Sequence, residues 1–115
     1  MISVKPEDTL MTAYNRMRAS DISQLPVLKD NKLTGIVDEE DLLLNVYKDE
    51  SLFSKSIDSI MVTDLETIQV DSDENSLYKI LSQGKVAIVF DSDKFLGFIT
   101  KVDLINRYKS LFKIS

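Results

Sequence analysis

Thr100 and Asp103 stand three positions apart in the stretch "GFITKVDL" (Gly97–Leu104), where an apolar strand gives way to an apolar helix. A hydroxyl and a carboxylate at that spacing can do two kinds of chemistry. As a helix start they make a capping box, the hydroxyl accepting from the amide of residue 103 and the carboxylate reaching back. Such a cap is worth about 1 kcal/mol and needs no ligand. As a grip, the same place offers unpaired amides and a partial positive charge to a phosphate or carboxylate. The carboxylate can then accept two hydrogen bonds from the vicinal hydroxyls of a ribose. The residues alone leave both readings open.

Other chemistry is excluded by what is missing. The chain has no cysteine and no histidine, which removes thiol nucleophiles, thiolate metal sites and the commonest general base. A net charge of −5 over 115 residues offers no basic patch for nucleic acid. No apolar run approaches the roughly 18–20 residues that cross a bilayer, and "MISVKPEDTL" turns charged too soon for a signal peptide. With 43% hydrophobic and 29% charged residues the composition is ordinary for a folded globular domain, and together with these absences it leads one to expect a cytoplasmic, non-catalytic one. "DEED" (Asp38–Asp41) resembles a carboxylate cluster for a hard cation. A helix start accounts for those acids without a metal, and no metal site is assigned.

The elements that must position Thr100 and Asp103 come in two copies. "LPVLKDNKLTGIVDEEDLL" (Leu25–Leu43) lies against "VAIVFDSDKFLGFITKVDLI" (Val86–Ile105), sharing Gly35/Gly97, Asp41/Asp103 and Leu42/Leu104. The lead-ins "VKPEDTLM" and "VDSDENSL" match as well. Each half predicts a helix with apolar residues at helical spacing, Leu10, Met11, Tyr14 and Met17 or Leu77, Ile80 and Leu81. A hairpin follows, Leu25–Leu28 with Leu33–Val37 or Val86–Phe90 with Phe95–Ile99, turning through "KDNK" or "DSDK". A second helix closes each half, Glu39–Tyr47 or Lys101–Phe112. The division is residues 1–48 as the first repeat, 49–66 as a linker with a short helix in "SIDSIM", and 67–115 as the second repeat.

This repeated order of helix, hairpin, glycine and pre-helical aspartate resembles a tandem pair of CBS domains, or Bateman module, over nearly the whole chain. "KVAIVFDSDKFLGFITKVDLINRY" is most similar to the C-terminal regulatory region of cystathionine β-synthase, a pyridoxal-phosphate enzyme. The resemblance implies an α+β fold of two β-α-β-β-α repeats packed about a pseudo-two-fold axis, with small sheets facing each other and helices outside. The family usually places a short helix and an extended segment before each repeat. Here the first repeat begins almost directly at Ile2–Val4, which suggests a piece excised from a longer polypeptide, with Met1 as a true initiator the alternative.

The resemblance also nominates residues. At the position of Asp103 the family commonly holds a ribose, and at Thr100 it contacts ribose or phosphate, with adenine between apolar strands. Val102, Phe98, Ile99, Ile22, Leu25, Ile68, Val70 and Ala87 are pocket candidates by family position, plain core packing being the alternative for each. Asp38 and Asp41 mark a second, weaker site. Capping treats Thr100 and Asp38 alike, whereas an ionised Asp38 aimed at a phosphate would repel it. The site around Thr100 and Asp103 is therefore the competent one.

The implied effectors are S-adenosylmethionine or AMP, ADP or ATP, with no covalently bound cofactor. A triphosphate needs several cations, and the motif carries Lys101, with Lys85 and Arg107 of unknown orientation. S-adenosylmethionine, with a sulfonium and no phosphate, suits an acidic chain better. The expected function is a regulatory module that binds an adenosyl ligand between the repeats and moves a catalytic domain in the same or another chain. Homodimerisation through the helices is expected, with no nucleic-acid or membrane partner. A ligand-free dimerisation module is the alternative. An independent enzyme would have only Asp38–Asp41 to work with.

Overall fold

The computed structural model describes the backbone of residues 2–112 and the side chains of residues 2–107. The chain divides into two compact units, residues 1–65 and 66–115. The first carries α1 (Leu10–Ser20), β1 (Gln24–Lys29), β2 (Lys32–Asp38) and α2 (Glu39–Lys48), then 3-10 turns at Glu50–Ser54 and Ile57–Ser59. The second carries β3 (Thr67–Gln69), α3 (Glu74–Ser82), β4 (Ala87–Asp91), β5 (Lys94–Ile99) and α4 (Lys101–Phe112). This is the α+β arrangement the repeat predicts.

Local chemistry sets the boundaries. The first helix of each unit starts at a side-chain cap, Thr9 accepting from the Thr12 amide and Asp73 from the Ser76 amide. Each ends in a left-handed residue, Asp21 at φ 52° and Gly84 at φ 77°. These caps correct the match between the lead-ins. Thr9 corresponds to Asp73, so Tyr14 corresponds to Tyr78 and Val4 to Ile68 rather than to Val70.

Both hairpins are antiparallel with two-residue turns. Asp30 and Asn31 lie at φ 51° and 64°, the mirror-image turn that follows the strand twist. The pairing skips one residue at the same place in each, Thr34 in β2 and Leu96 in β5. These are β-bulges, which reset the alternation of faces. The Thr34 hydroxyl donates to Val27 O at 3.1 Å and so repairs part of the interrupted ladder.

A third strand runs parallel to each hairpin, with unequal length. In the second unit β3 pairs with β4 over three residues, and Ile88 N donates to Glu66 O at 2.9 Å. In the first unit the counterpart of Ile88 is Pro26, which has no N–H to give. There the third strand shrinks to one bridge, Val4 with Val27, although Val4 N still reaches Pro26 O at 3.1 Å.

The core of the first unit gathers Leu10, Ala13, Met17, Leu25, Val37 and Leu42 under the sheet, none more than 1% exposed. Burying a side chain of that size contributes about 1.5–3 kcal/mol. Ile57 belongs to the same core and this unit runs on to Leu65, so residues 49–65 are packed into it, whereas Glu66 pairs with Ile88 in the second unit. Ile57 N donates to Asp8 O at 2.8 Å, and Ile36 and Val62 exchange two backbone bonds of 3.0 and 2.9 Å along the outer edge of β2. Gly35 is required for that approach. A Cβ on it would lie 2.9 Å from both Met61 Sδ and Val62 O.

Candidate functional site

Each unit has one junction where its hairpin runs into its last helix. In the second, β5 ends at Ile99, Thr100 leaves the strand and α4 begins at Lys101. The Asp103 carboxylate turns back over the junction. Its Oδ2 accepts from Thr100 N at 2.8 Å and from Thr100 Oγ1 at 3.2 Å. This is half of the expected capping box. The hydroxyl donates to the carboxylate, and no bond reaches it from the Asp103 amide. The amides of Lys101, Val102 and Asp103 consequently meet no acceptor among the described residues. Nor does any group there donate to Asp103 Oδ1. Asp103 itself is exposed and Thr100 half-buried.

The first junction is built in the opposite sense. Asp38 Oδ1 accepts from Glu40 N at 2.9 Å and Asp41 N at 3.4 Å, capping α2 forwards. Glu39 N donates to Ser23 O at 2.9 Å. All three leading amides are thus satisfied internally. The remaining oxygen, Asp38 Oδ2, accepts from Gln24 Nε2 at 3.2 Å, across the strand pair. The second repeat has Val86 at the place of Gln24 and cannot make this lock. Sequence reading missed Gln24, although its polarity opposite Val86 was the available signal. Asp41, expected at the weaker site, is exposed, its amide donating to Asp38 Oδ1 and its carbonyl accepting from Asn45 Nδ2.

The remaining candidates separate by place. Ala87, fully buried, pairs across the sheet with half-buried Ile99, directly beside Thr100. Phe98 follows one pair further, opposite Ile88, with its ring 5.2 Å from Phe95. Phe95 in turn stands 5.8 Å from Phe90, an aromatic row that sequence reading did not pick out and that the bulge at Leu96 permits. Val102 is 60% exposed on the first turn of α4. Ile68 is half-buried in β3, level with Val89. Val70 does not join this group. It lies past the end of β3, where its amide reaches Phe90 O at 2.8 Å, toward the hairpin turn and some 10 Å from the junction. Ile22 and Leu25 belong to the first unit, Ile22 half-buried and Leu25 wholly within the core. Among the described residues no group of three or more acidic side chains is placed to hold a metal ion, and no helix is long and apolar enough to cross a membrane.

The family model for the CBS domain matches residues 1–48 and 57–110. The chain belongs to the CBS domain family. Two matched segments make it a tandem CBS pair. It is 34% identical over 110 residues to an inosine-5'-monophosphate dehydrogenase of Thermoplasma acidophilum, covering 93% of this chain and 21% of that protein. The corresponding enzyme of Methanocaldococcus jannaschii is 30% identical over 113 residues, covering 95% and 22%. The CBS pair therefore spans about a fifth of the length of these relatives. Among solved structures it is similar to a CBS-domain protein of Agrobacterium tumefaciens, with a TM-score of 0.83 at 20% identity over 94% of this chain and 89% of that one. It is also similar to CBSX2 of Arabidopsis thaliana, at TM-score 0.77 and 19% identity over all of this chain and 90% of that one. CBSX2 has likewise been solved in complex with AMP, matching at TM-score 0.77 and 19% identity over 96% and 89%. The kinship is to CBS pairs at large and to those of inosine-5'-monophosphate dehydrogenases, and not specifically to the cystathionine β-synthase type.

Proposed function

We propose that this CBS pair is a regulatory module whose second repeat takes an adenosine-containing ligand at the β5–α4 junction. The observation that carries the reading is the asymmetry of the two junctions. Around Asp38 the leading amides and both carboxylate oxygens are engaged within the chain. Around Asp103 the leading amides and one carboxylate oxygen meet no partner among the described residues, which leaves them for a ligand. Asp103 Oδ1 suits a ribose hydroxyl, and the amides of Lys101 to Asp103 suit an anion. AMP satisfies both, and the complex of CBSX2 with AMP supports the class of ligand. S-adenosylmethionine offers these amides only the carboxylate at the far end of its methionine arm, whereas AMP carries its phosphate directly beside the ribose, so the open amides favour the nucleotide.

The ligand acts on an enzyme in the same or another polypeptide, as the presence of a similar region within inosine-5'-monophosphate dehydrogenases suggests. It can do so only by binding two arrangements of the pair unequally. The test is calorimetric titration with AMP, ATP and S-adenosylmethionine, repeated on Asp103→Ala. A lost bond to a charged partner is worth about 1.5–3 kcal/mol, so AMP should bind the variant at least about tenfold more weakly. No heat with any of the three at millimolar concentration sinks the proposal. The assembly reading has one observation of its own. α2 leaves Leu44 65% and Tyr47 89% exposed, and α4 leaves Ile105 52% exposed. Dimerisation with unaltered AMP affinity in Asp103→Ala would favour it.

A further inference from the structure

The chain contains no cysteine, so its four methionines carry all of its sulfur. Met17 is wholly buried in the core of the first unit, and Met11 is 42% exposed on α1. Met61 is half-buried and does a structural job. Its Sδ and Cγ stand 2.9 and 3.1 Å from the point where a Cβ of Gly35 would lie. The thioether thus occupies the place of the side chain that Gly35 lacks. The next residue, Val62, exchanges two backbone bonds of 2.9 and 3.0 Å with Ile36, the neighbour of Gly35 in β2. Sulfur and backbone pair make one fastening, two consecutive residues laid on two consecutive residues.

This fastening ends the first unit. After Ile60, Met61 is the one residue up to Leu65 that packs against the core among the described residues. The side chain of Val62 contributes little, at 37% exposure. The next backbone bond along the described chain is the one that Glu66 O accepts from Ile88 N in the second unit. Only Thr63, Asp64 and Leu65 stand between the two attachments. Unfastening Met61 and Val62 adds both to that tether, which lowers the effective concentration of one repeat at the other.

A thioether is apolar and polarisable, and suits close packing against backbone. A sulfoxide does not, because its oxygen is strongly polar and the amides of Ile36 and Val62 are already taken by each other's carbonyls. The oxidised group must turn out to water, which the three rotatable bonds of methionine permit. Gly35 then loses its cover.

We propose that Met61 is an oxidation site through which hydroperoxides loosen the tether between the two repeats. The sulfur supplies an electron pair to form the S–O bond as the O–O bond breaks. The proton on the transferred oxygen passes to the leaving oxygen, which departs as water from hydrogen peroxide or as an alcohol from an organic hydroperoxide. Methionine sulfoxide reductases reverse the change, as a switch requires.

The probe is hydrogen peroxide applied to the intact chain. Peptide mass spectrometry locates the oxidised methionine, and amide exchange is read at Ile36, Val62 and Leu10. Met11 should oxidise before Met61, and Met17 after it. As Met61 converts, exchange at Ile36 and Val62 should rise at least about tenfold, while Leu10, bonded to Lys55 O, stays protected. Methionine sulfoxide reductases should restore the original rates. Met11→Leu should keep the response, and Met61→Leu, which retains an apolar cover, should abolish it. Met61→Gln should show the faster exchange with no peroxide added. Unchanged exchange at Ile36 and Val62 once Met61 is fully oxidised, Met61 reacting no faster than Met17, or a full response in Met61→Leu would each overturn the proposal. So would equal loss of protection at Leu10, which would mean that oxidation unfolds the unit as a whole.

Discussion

Adding one methyl at Gly35 and at Gly97 should give opposite results, although the two glycines match in the repeat. At Gly35 the new Cβ would sit 2.9 Å from Val62 O and 2.9 Å from Met61 Sδ. The sulfur can swing aside, because methionine has three rotatable side-chain bonds. The carbonyl cannot, since Ile36 N holds it at 3.0 Å and Val62 N is tied to Ile36 O at 2.9 Å. Overpacking of this kind costs about 1–3 kcal/mol. Freeing the strand to relieve it forfeits two backbone bonds of about 0.5–1.5 kcal/mol each. By either route Gly35→Ala should therefore destabilise the first unit by about 1–3 kcal/mol. Gly97→Ala meets nothing within 4 Å and needs no positive φ, so it should stabilise the second unit by about 0.4–1 kcal/mol. Urea unfolding with residue-resolved amide exchange measures both. With a slope of about 1–3 kcal/mol/M, the Gly35→Ala midpoint should fall by about 1 M, with Ile36 and Val62 losing protection first. Equal shifts for the two variants would refute the packing argument.

Three other outcomes follow from the same contacts. Replacing the lock at the first junction, Gln24→Val with Asp38→Thr, should raise calorimetric AMP stoichiometry from one to two per chain; an unchanged value would show that the lock is not what closes that junction. Asp73 is held below the ordinary carboxylate value by the Ser76 amide and then by the Ser76 hydroxyl. A lowered folded-state value gives stability that is full above the unfolded value of about 3.9 and lost as pH falls through the folded one. The start of α3 should thus lose exchange protection below about pH 4, and Asp73→Asn should flatten that acid response. Val86→Gln with Thr100→Asp, the reverse exchange, should cap α4 forwards and abolish AMP binding while preserving the thermal midpoint; retained binding would count against the role of the open amides.

Much of this was legible in the sequence because apolar periodicity and turn residues are local signals. The hairpins, all four helices and the Gly–Asp repeat follow from them. The strand lead-ins were misaligned because "VKPEDTLM" and "VDSDENSL" match by composition two places away from where their caps coincide. Val70 is a candidate by family position on that entering strand, which ends at Gln69. The direction of a cap is not encoded in residue type, so Thr100–Asp103 and Asp38–Asp41 looked alike until the carboxylates were seen to face opposite ways. Gln24 shows in the sequence only as a polar residue matching Val86, and its role needs the pairing that sets it opposite Asp38.

Pro26 also bears on how two hairpins of the same build avoid taking each other's strands. During collapse each lead-in meets two sheets on which it could settle, a common source of misassembly in repeated chains. If β3 were laid along β1, the Glu66 carbonyl would find no donor at Pro26, and an unmet buried carbonyl costs about 1–3 kcal/mol. The longer lead-in is thereby turned away from the wrong hairpin and kept for Ile88. The proline works as an address label within a duplicated chain. Pro26→Val should leave native stability equal or higher while increasing the aggregated fraction after rapid dilution from urea, and an unchanged refolding yield would contradict this.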